Sequence, residues 1–177
     1  MPSQQLERYT GVARLLHWTM AALVLATVPA GFVLLSLPPG RVQNTLFDLH
    51  RSVGVLLFVL VVIRLPWRLT HPPPPLPEDL PAWQRLASGI VHHLLYVLLL
   101  IQPIIGWWGT SAFGAPISVF WLFELPPLVS KDEVAAKRIL AWHGIVGITL
   151  SVAIAIHVSA ALFHHFVRRD QVLRRML

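Results

Sequence analysis

Residues 139–167 read ILAWHGIVGITLSVAIAIHVSAALFHHFV. These 29 residues contain no lysine, arginine or acidic side chain; the titratable groups are His143, His157, His164 and His165. About 20 apolar residues, rising 1.5 Å each, cross the hydrocarbon core of a bilayer. The stretch therefore predicts a membrane-spanning helix that carries imidazoles into lipid, where ionisable groups are costly and mark function.

Working outward, three more runs have the same character. Residues 15–40 hold no charged side chain apart from His17. The run at 46–69 is interrupted by His50, Arg51 and Arg64, whose guanidinium groups must snorkel to the interface or find buried anions. No charged residue occurs from 86 to 123. The spans are read as 12–37, 46–69, 84–109 and 138–167, in one membrane domain covering 1–177. Residues 113–128, with Trp121, several Phe and three Pro, are read as an interfacial segment with a short amphipathic helix. Thr70-His71-Pro72-Pro73-Pro74-Pro75-Leu76-Pro77 cannot be helical and is an extended linker between two helical pairs. The fold class that follows is an all-α, four-helix membrane bundle.

Composition agrees. Hydrophobic residues make up 55% of the 177 and charged residues 12%, against about 25% charged in a soluble domain. The net charge of +6 sits at the ends of apolar runs, which points to membrane orientation and away from nucleic acid. With four spans both termini share a side with the Pro-rich linker. That side carries nine of the 14 basic residues, among them Arg8, Arg14, Arg64 and Arg68, and the opposite side carries Arg41, Arg51, Lys131, Lys137 and Arg138. The richer side is expected to be cytoplasmic. The absence of cysteine excludes disulfides, thiolate metal sites, iron–sulfur clusters and covalent c-type haem.

Eight of the nine histidines lie in or at the ends of spans. His143 and His157 are 14 residues apart, so on one helix they point within about 40° of each other and stand about 21 Å apart along the axis. That suits two cofactors, one near each membrane surface. Chain direction supplies partners at each depth: His17 with His157 near the cytoplasmic face, and His50 with His143 near the outer face. A haem iron takes two axial ligands, whereas zinc wants three or four protein ligands, so the expectation is two non-covalent b-type haems with His17, His50, His143 and His157 as axial ligands. His92 or His93 in place of His17 remains open. Arg14 and Arg51, beside His17 and His50, are candidate partners for haem propionates. His92, His93, His164 and His165 near the cytoplasmic ends suit hydrogen bonds to headgroups, propionates or a quinone.

The chain resembles the prokaryotic cytochrome b561 family over nearly its whole length. The resemblance rests on Arg8-Tyr9 and Leu16-His17-Trp18; on His50 with Gly54, and Arg64-Leu65; on His92, Leu95-Tyr96 and Pro103-Ile104-Ile105-Gly106-Trp107; and on Trp142-His143-Gly144, His157 and Ala160-Ala161-Leu162-Phe163-His164-His165. It implies a bacterial inner-membrane protein with two haems, whose ligands in the family fall on His17, His50, His143 and His157. It also implies electron exchange with membrane quinone, and an activity that oxidises superoxide and reduces ubiquinone. The alternative is a cytochrome subunit taking electrons from a partner dehydrogenase or hydrogenase. An ion transporter would want carboxylates inside the spans, and apart from Asp48 near the start of the second none lies there.

Overall fold

In the computed structural model, residues 8–77 and 79–177 are described. The element order is α1 (Gly11–Leu34), α2 (Arg41–Thr70), α3 (Ala82–Phe113), β1 (Ile117–Val119), β2 (Phe123–Leu125) and α4 (Glu133–Phe163), followed by a π turn (His164–Arg168) and a 3-10 turn (Arg174–Met176). Each of the four helices is long and apolar enough to cross a membrane.

Local chemistry sets the helix ends. Thr10 Oγ1 accepts the Ala13 N–H at 3.2 Å and opens α1. Gln43 Nε2 donates to the Leu34 and Leu37 carbonyls, 3.0 Å each, satisfying acceptors where α1 ends. Asp132 Oδ1 accepts from the Val134 and Ala135 amides, 3.0 Å each, and opens α4. Pro29, Pro66 and Pro103 lie inside α1, α2 and α3.

The most extensive helix packing is α3 on α4, then α1 on α2, then α2 on α3; α4 approaches α1 and α2 much less closely. The buried core is a layer at mid-depth. Met20, Val24, Leu57 and Val61 form one cluster, and Leu98, Leu150 and Ala153 the other. Leu25, Phe32, Val59, Val62, Val97, Ile148 and Val152 are exposed on the outside of the bundle, the arrangement lipid requires.

Two expectations are corrected. First, α3 does not end near 106–109 but runs to Phe113. Gly106 and Gly109 are packing positions: a Cβ on Gly109 would lie 2.7 Å from Leu140. The helix stops at Gly114, whose φ of 82° is the left-handed cap, with its N–H on Thr110 and Ser111 carbonyls. Second, 113–128 forms no amphipathic helix. It is an antiparallel hairpin with Val119 opposite Phe123. Pro116, Pro126 and Pro127 flank a run of β-branched and aromatic residues, which disfavours helix. The turn puts Phe120 and Trp121 at φ 48° and 59° without the usual Asn-Gly signal.

One hydroxyl fastens this hairpin to α2. Ser52, 1% exposed, accepts the Phe120 N–H at 2.8 Å and donates within reach of the Asp48 carbonyl (2.6 Å) and the Ser118 carbonyl (3.1 Å). Ser52→Ala leaves the partly buried Phe120 amide without its acceptor, a loss toward the lower end of about 1–3 kcal/mol. A lower thermal midpoint and faster proteolysis at 117–125 are expected; unchanged values for both would show that the hydroxyl is dispensable.

The termini and linker meet at one end, as an even number of spans requires. The Tyr9 N–H donates to the Arg175 carbonyl at 3.1 Å, Trp18 Nε1 donates to the Met176 carbonyl at 2.8 Å, and Arg168 pairs with Asp79 at 3.1 Å.

Candidate functional site: two intramembrane histidine pairs

The fold brings histidine rings together at two depths. The His17 and His157 ring centres are 6.1 Å apart with planes at 73°. Those of His50 and His143 are 6.2 Å apart at 78°. Both members on α4 lie on one unbroken helix. The mid-depth core of Val24, Leu57, Val61, Leu150 and Ala153 separates the two levels. Among the described residues, no group of three or more His, Cys, Asp or Glu converges as an ion site.

The outer pair is seated on glycines. A Cβ on Gly31 of α1 would lie 3.0 Å from His50 Cε1, and one on Gly106 of α3 would lie 3.0 Å from His143 Cε1. The His143 Nδ1–H donates to the Gln102 carbonyl at 3.2 Å, and Gln102 Nε2 donates back to the His143 carbonyl at 3.0 Å. With Nδ1 protonated, the His143 Nε2 lone pair is the acceptor, and Gln102 Nε2 lies 3.4 Å from it, a long contact that a metal at Nε2 would have to displace. His50 Nδ1 is buried with no hydrogen-bond partner. Gln102 was missed by sequence reasoning; its signal is a lone amide inside the uncharged run, one turn before Gly106.

The inner pair has more neighbours. His92 of α3 lies 5.1 Å from His157, its Nδ1–H donating to the Ser88 carbonyl at 2.6 Å. Trp18 packs edge-on against His17 at 5.2 Å. Arg64 of α2 is held on α3 nearby, its Nε donating to the Tyr96 hydroxyl, one turn after His92, at 3.0 Å.

The remaining candidates fall elsewhere. Arg51 Nη1 donates to the Pro116 carbonyl at 3.3 Å and lies 3.5 Å from Asp48 Oδ1, so it braces the hairpin. The Arg14 side chain makes no hydrogen bond or ion pair among the described residues. His93 donates to the Gly89 carbonyl at 2.7 Å, and His165 Nδ1 is buried without a partner.

His164 is held by an acid: its Nδ1 lies 2.5 Å from Asp170 Oδ2, which also accepts from Arg168 Nε at 3.3 Å. Burial alone would raise the Asp170 carboxyl, but hydrogen bonds from His164, the Val172 amide and Arg168 outweigh it and hold the group below its ordinary value. A carboxyl lowered on folding adds stability above its unfolded pKa, and that stability is lost as pH falls through the folded one. Asp170→Asn is therefore expected to melt below the parent protein at neutral pH, with the two melting curves converging below about pH 4. A gap that stays constant with pH would remove the charge from the explanation.

Four membrane-crossing helices that bring imidazoles together in pairs at two depths define a multi-pass membrane bundle with paired intramembrane histidines. Residues 8–177 match the family model described as prokaryotic cytochrome b561, and the chain belongs to that family. It is 37% identical over 174 residues to "Cytochrome b561 homolog 2" of Escherichia coli (strain K12), covering 97% of this chain and 92% of that protein. Over 176 residues it is 30% identical to "Cytochrome b561 homolog 1" of the same strain, covering 97% and 98%. Over 163 residues it is 29% identical to "Probable superoxide oxidase CybB" of Yersinia pestis, covering 92% and 91%. The family binds b-type haem and transfers electrons in the bacterial inner membrane.

Proposed function

We propose that this chain holds two b-type haems, one between His17 and His157 and one between His50 and His143, and that it exchanges electrons with membrane quinone, oxidising superoxide and reducing ubiquinone. The observation that carries the reading is the ring spacing. Two metal–nitrogen bonds of about 2 Å, plus the step from each nitrogen to its ring centre, give about 6 Å between imidazoles sharing one metal. The 6.1 and 6.2 Å separations match it. The 5.1 Å between His92 and His157 is too short for the same sandwich, which favours His17 as the inner ligand. α4 packs less extensively on α1 and α2 than on α3, which is compatible with a planar group at each histidine level.

Bound haem supplies one-electron chemistry. The protein's part is to fix the two levels, shield them with the apolar core between, and set their potentials through ligands and nearby charge. Superoxide enters the reading from the Yersinia pestis relative's name. Near the outer pair the charges are five basic, Arg41, Arg51, Lys131, Lys137 and Arg138, against four acidic, Asp48, Glu124, Asp132 and Glu133. That leaves one net positive charge, so any steering of an anion must come from local clusters such as Lys137-Arg138.

The test is a haem count by reduced α-bands, followed by stopped-flow mixing with superoxide and, separately, with ubiquinol. Two haems per chain and rapid spectral change with superoxide are expected. A colourless protein would sink the cofactor assignment. Two haems that respond to neither reagent would transfer the function to a subunit fed by a partner dehydrogenase or hydrogenase.

A further inference from the structure

Arg64 is the least explained charge in the bundle. It lies 14 residues after His50 on α2, which carries it from the outer histidine level to the inner one. It is half-buried inside a membrane-crossing helix, where an uncompensated cation is costly. Among the described residues neither Arg64 nor Arg68 has a carboxylate within ion-pair distance; the carboxylate pairs are made by Arg51, Lys131, His164 and Arg168.

Both arginines are nevertheless held in place. Arg64 Nε donates to the Tyr96 hydroxyl at 3.0 Å, and the guanidinium carbons of Arg64 and Arg68 each lie 5.9 Å from the Tyr96 ring centre. Cation–π contact of this kind fixes an arginine without consuming its terminal N–H groups. The Nη groups of both side chains stay available as planar forks suited to carboxylate or phosphate oxygens. They line a small cleft with Tyr9, Ala13, Trp67 and Tyr96. Ala13 stands one turn before His17 on α1, so the cleft lies beside the inner histidine pair on the terminal side.

We propose that Arg64 and Arg68, braced on Tyr96, are an anion-binding clamp that holds the carboxylates of the inner b-type haem. This rests on the two-haem reading above. It moves the inner propionate role from Arg14, expected from sequence, to a pair on α2. Haem b brings carboxylates to the level where the chain has cations with no carboxylate of its own beside them. The same forks suit a phospholipid phosphate, so the experiment separates the two sources.

Wild type, Arg64→Gln, Arg68→Gln, Arg64→Lys and, as a control, Arg14→Gln are purified and subjected to potentiometric titration, resonance Raman spectroscopy and assay of bound phospholipid phosphorus. Removing a cation next to a haem disfavours its reduced form. Arg64→Gln and Arg68→Gln are expected to lower the inner haem's reduction equilibrium about tenfold, or about 59 mV for a one-electron couple, and to shift its propionate bending band. The outer haem and the Arg14→Gln protein are expected to match wild type. If Arg64→Gln fails to retain the inner haem, Arg68→Gln and Arg64→Lys carry the test: Lys keeps the charge and the midpoint but, lacking the fork, still shifts the Raman band. Unchanged inner midpoints and Raman bands in both glutamine variants would overturn the clamp. Loss of bound phosphorus with an unchanged propionate band would assign the forks to lipid and also overturn it. A wild-type protein with fewer than two haems would instead overturn the reading on which the clamp rests.

Discussion

His143→Ala is expected to purify with one haem per chain in place of two, and to lose the same α-band as His50→Ala. The two residues sit on different helices and share only the 6.2 Å ring contact, so a common spectral loss has no other structural origin. His17→Ala and His157→Ala are expected to lose the other band, because their rings meet at the other depth, 6.1 Å apart. Removing one ligand leaves the iron a single strong axial bond, so loss or conversion to a high-spin, five-coordinate spectrum is the expected size of the effect. His92→Ala is expected to keep both haems in six-coordinate form. The measurements are a pyridine haemochrome count and reduced-minus-oxidised spectra. If His143→Ala matched His17→Ala, the pairing would be wrong; if His92→Ala lost the inner band, His92 would replace His17 as ligand.

The second large effect is expected from two glycines that touch no cofactor in the proposal. Gly31→Val and Gly106→Val each place a Cβ 3.0 Å from the Cε1 of an outer-pair imidazole, with two further methyl carbons beyond it. The His143 ring has little room to yield, since it is also tied to the Gln102 carbonyl. The outer haem is expected to be lost or strongly shifted in its low-spin electron paramagnetic resonance signature, with the inner haem unaffected. The alanine variants force a ring shift of a few tenths of an ångström and are expected to shift the same signal less. Gly→Ala in a helix interior favours the helix by up to about 1 kcal/mol, so a perturbed outer site cannot be blamed on a weakened helix. Gly89→Ala, whose Cβ meets nothing within 4 Å, is the control and is expected to match wild type. Intact outer haem in both valine variants would show that the rings do not rest where the structure has them.

Much of this architecture is legible in the chain because it depends on local properties. Hydropathy over 18–25 residues finds the spans, and the helical rise converts residue number to depth. The number 14 recurs: His17 and Gly31, His50 and Arg64, His92 and Gly106, His143 and His157. In each helix that interval joins the inner and outer histidine levels. Sequence reading used the interval on α4 but did not extend it to Arg64 on α2, and its candidate inner propionate partner was Arg14, the basic residue next to His17.

The hairpin shows the opposite case. Phe120 and Trp121 occupy left-handed backbone that neither residue favours, and their turn exists because Ser52, 68 residues before Phe120, accepts the Phe120 amide. No short-range pattern encodes a partner that distant. Gln102 is similar: as sequence it is one amide in an apolar run, and it becomes part of the site only when α3 and α4 pack closely enough for His143 to reach its carbonyl.

By itself, then, the sequence determined that four helices cross the membrane, that they carry imidazoles at two depths, and that each depth offers one histidine on α4 with one on α1 or α2. Depth follows from counting residues along a straight helix. Only the tertiary structure decided how closely those rings approach, which glycines they rest on, and which arginines share their level. The lateral order of helices around a bundle is set by contacts such as Gly106 on His143 and Gly109 on Leu140, and such contacts form only once the helices have packed.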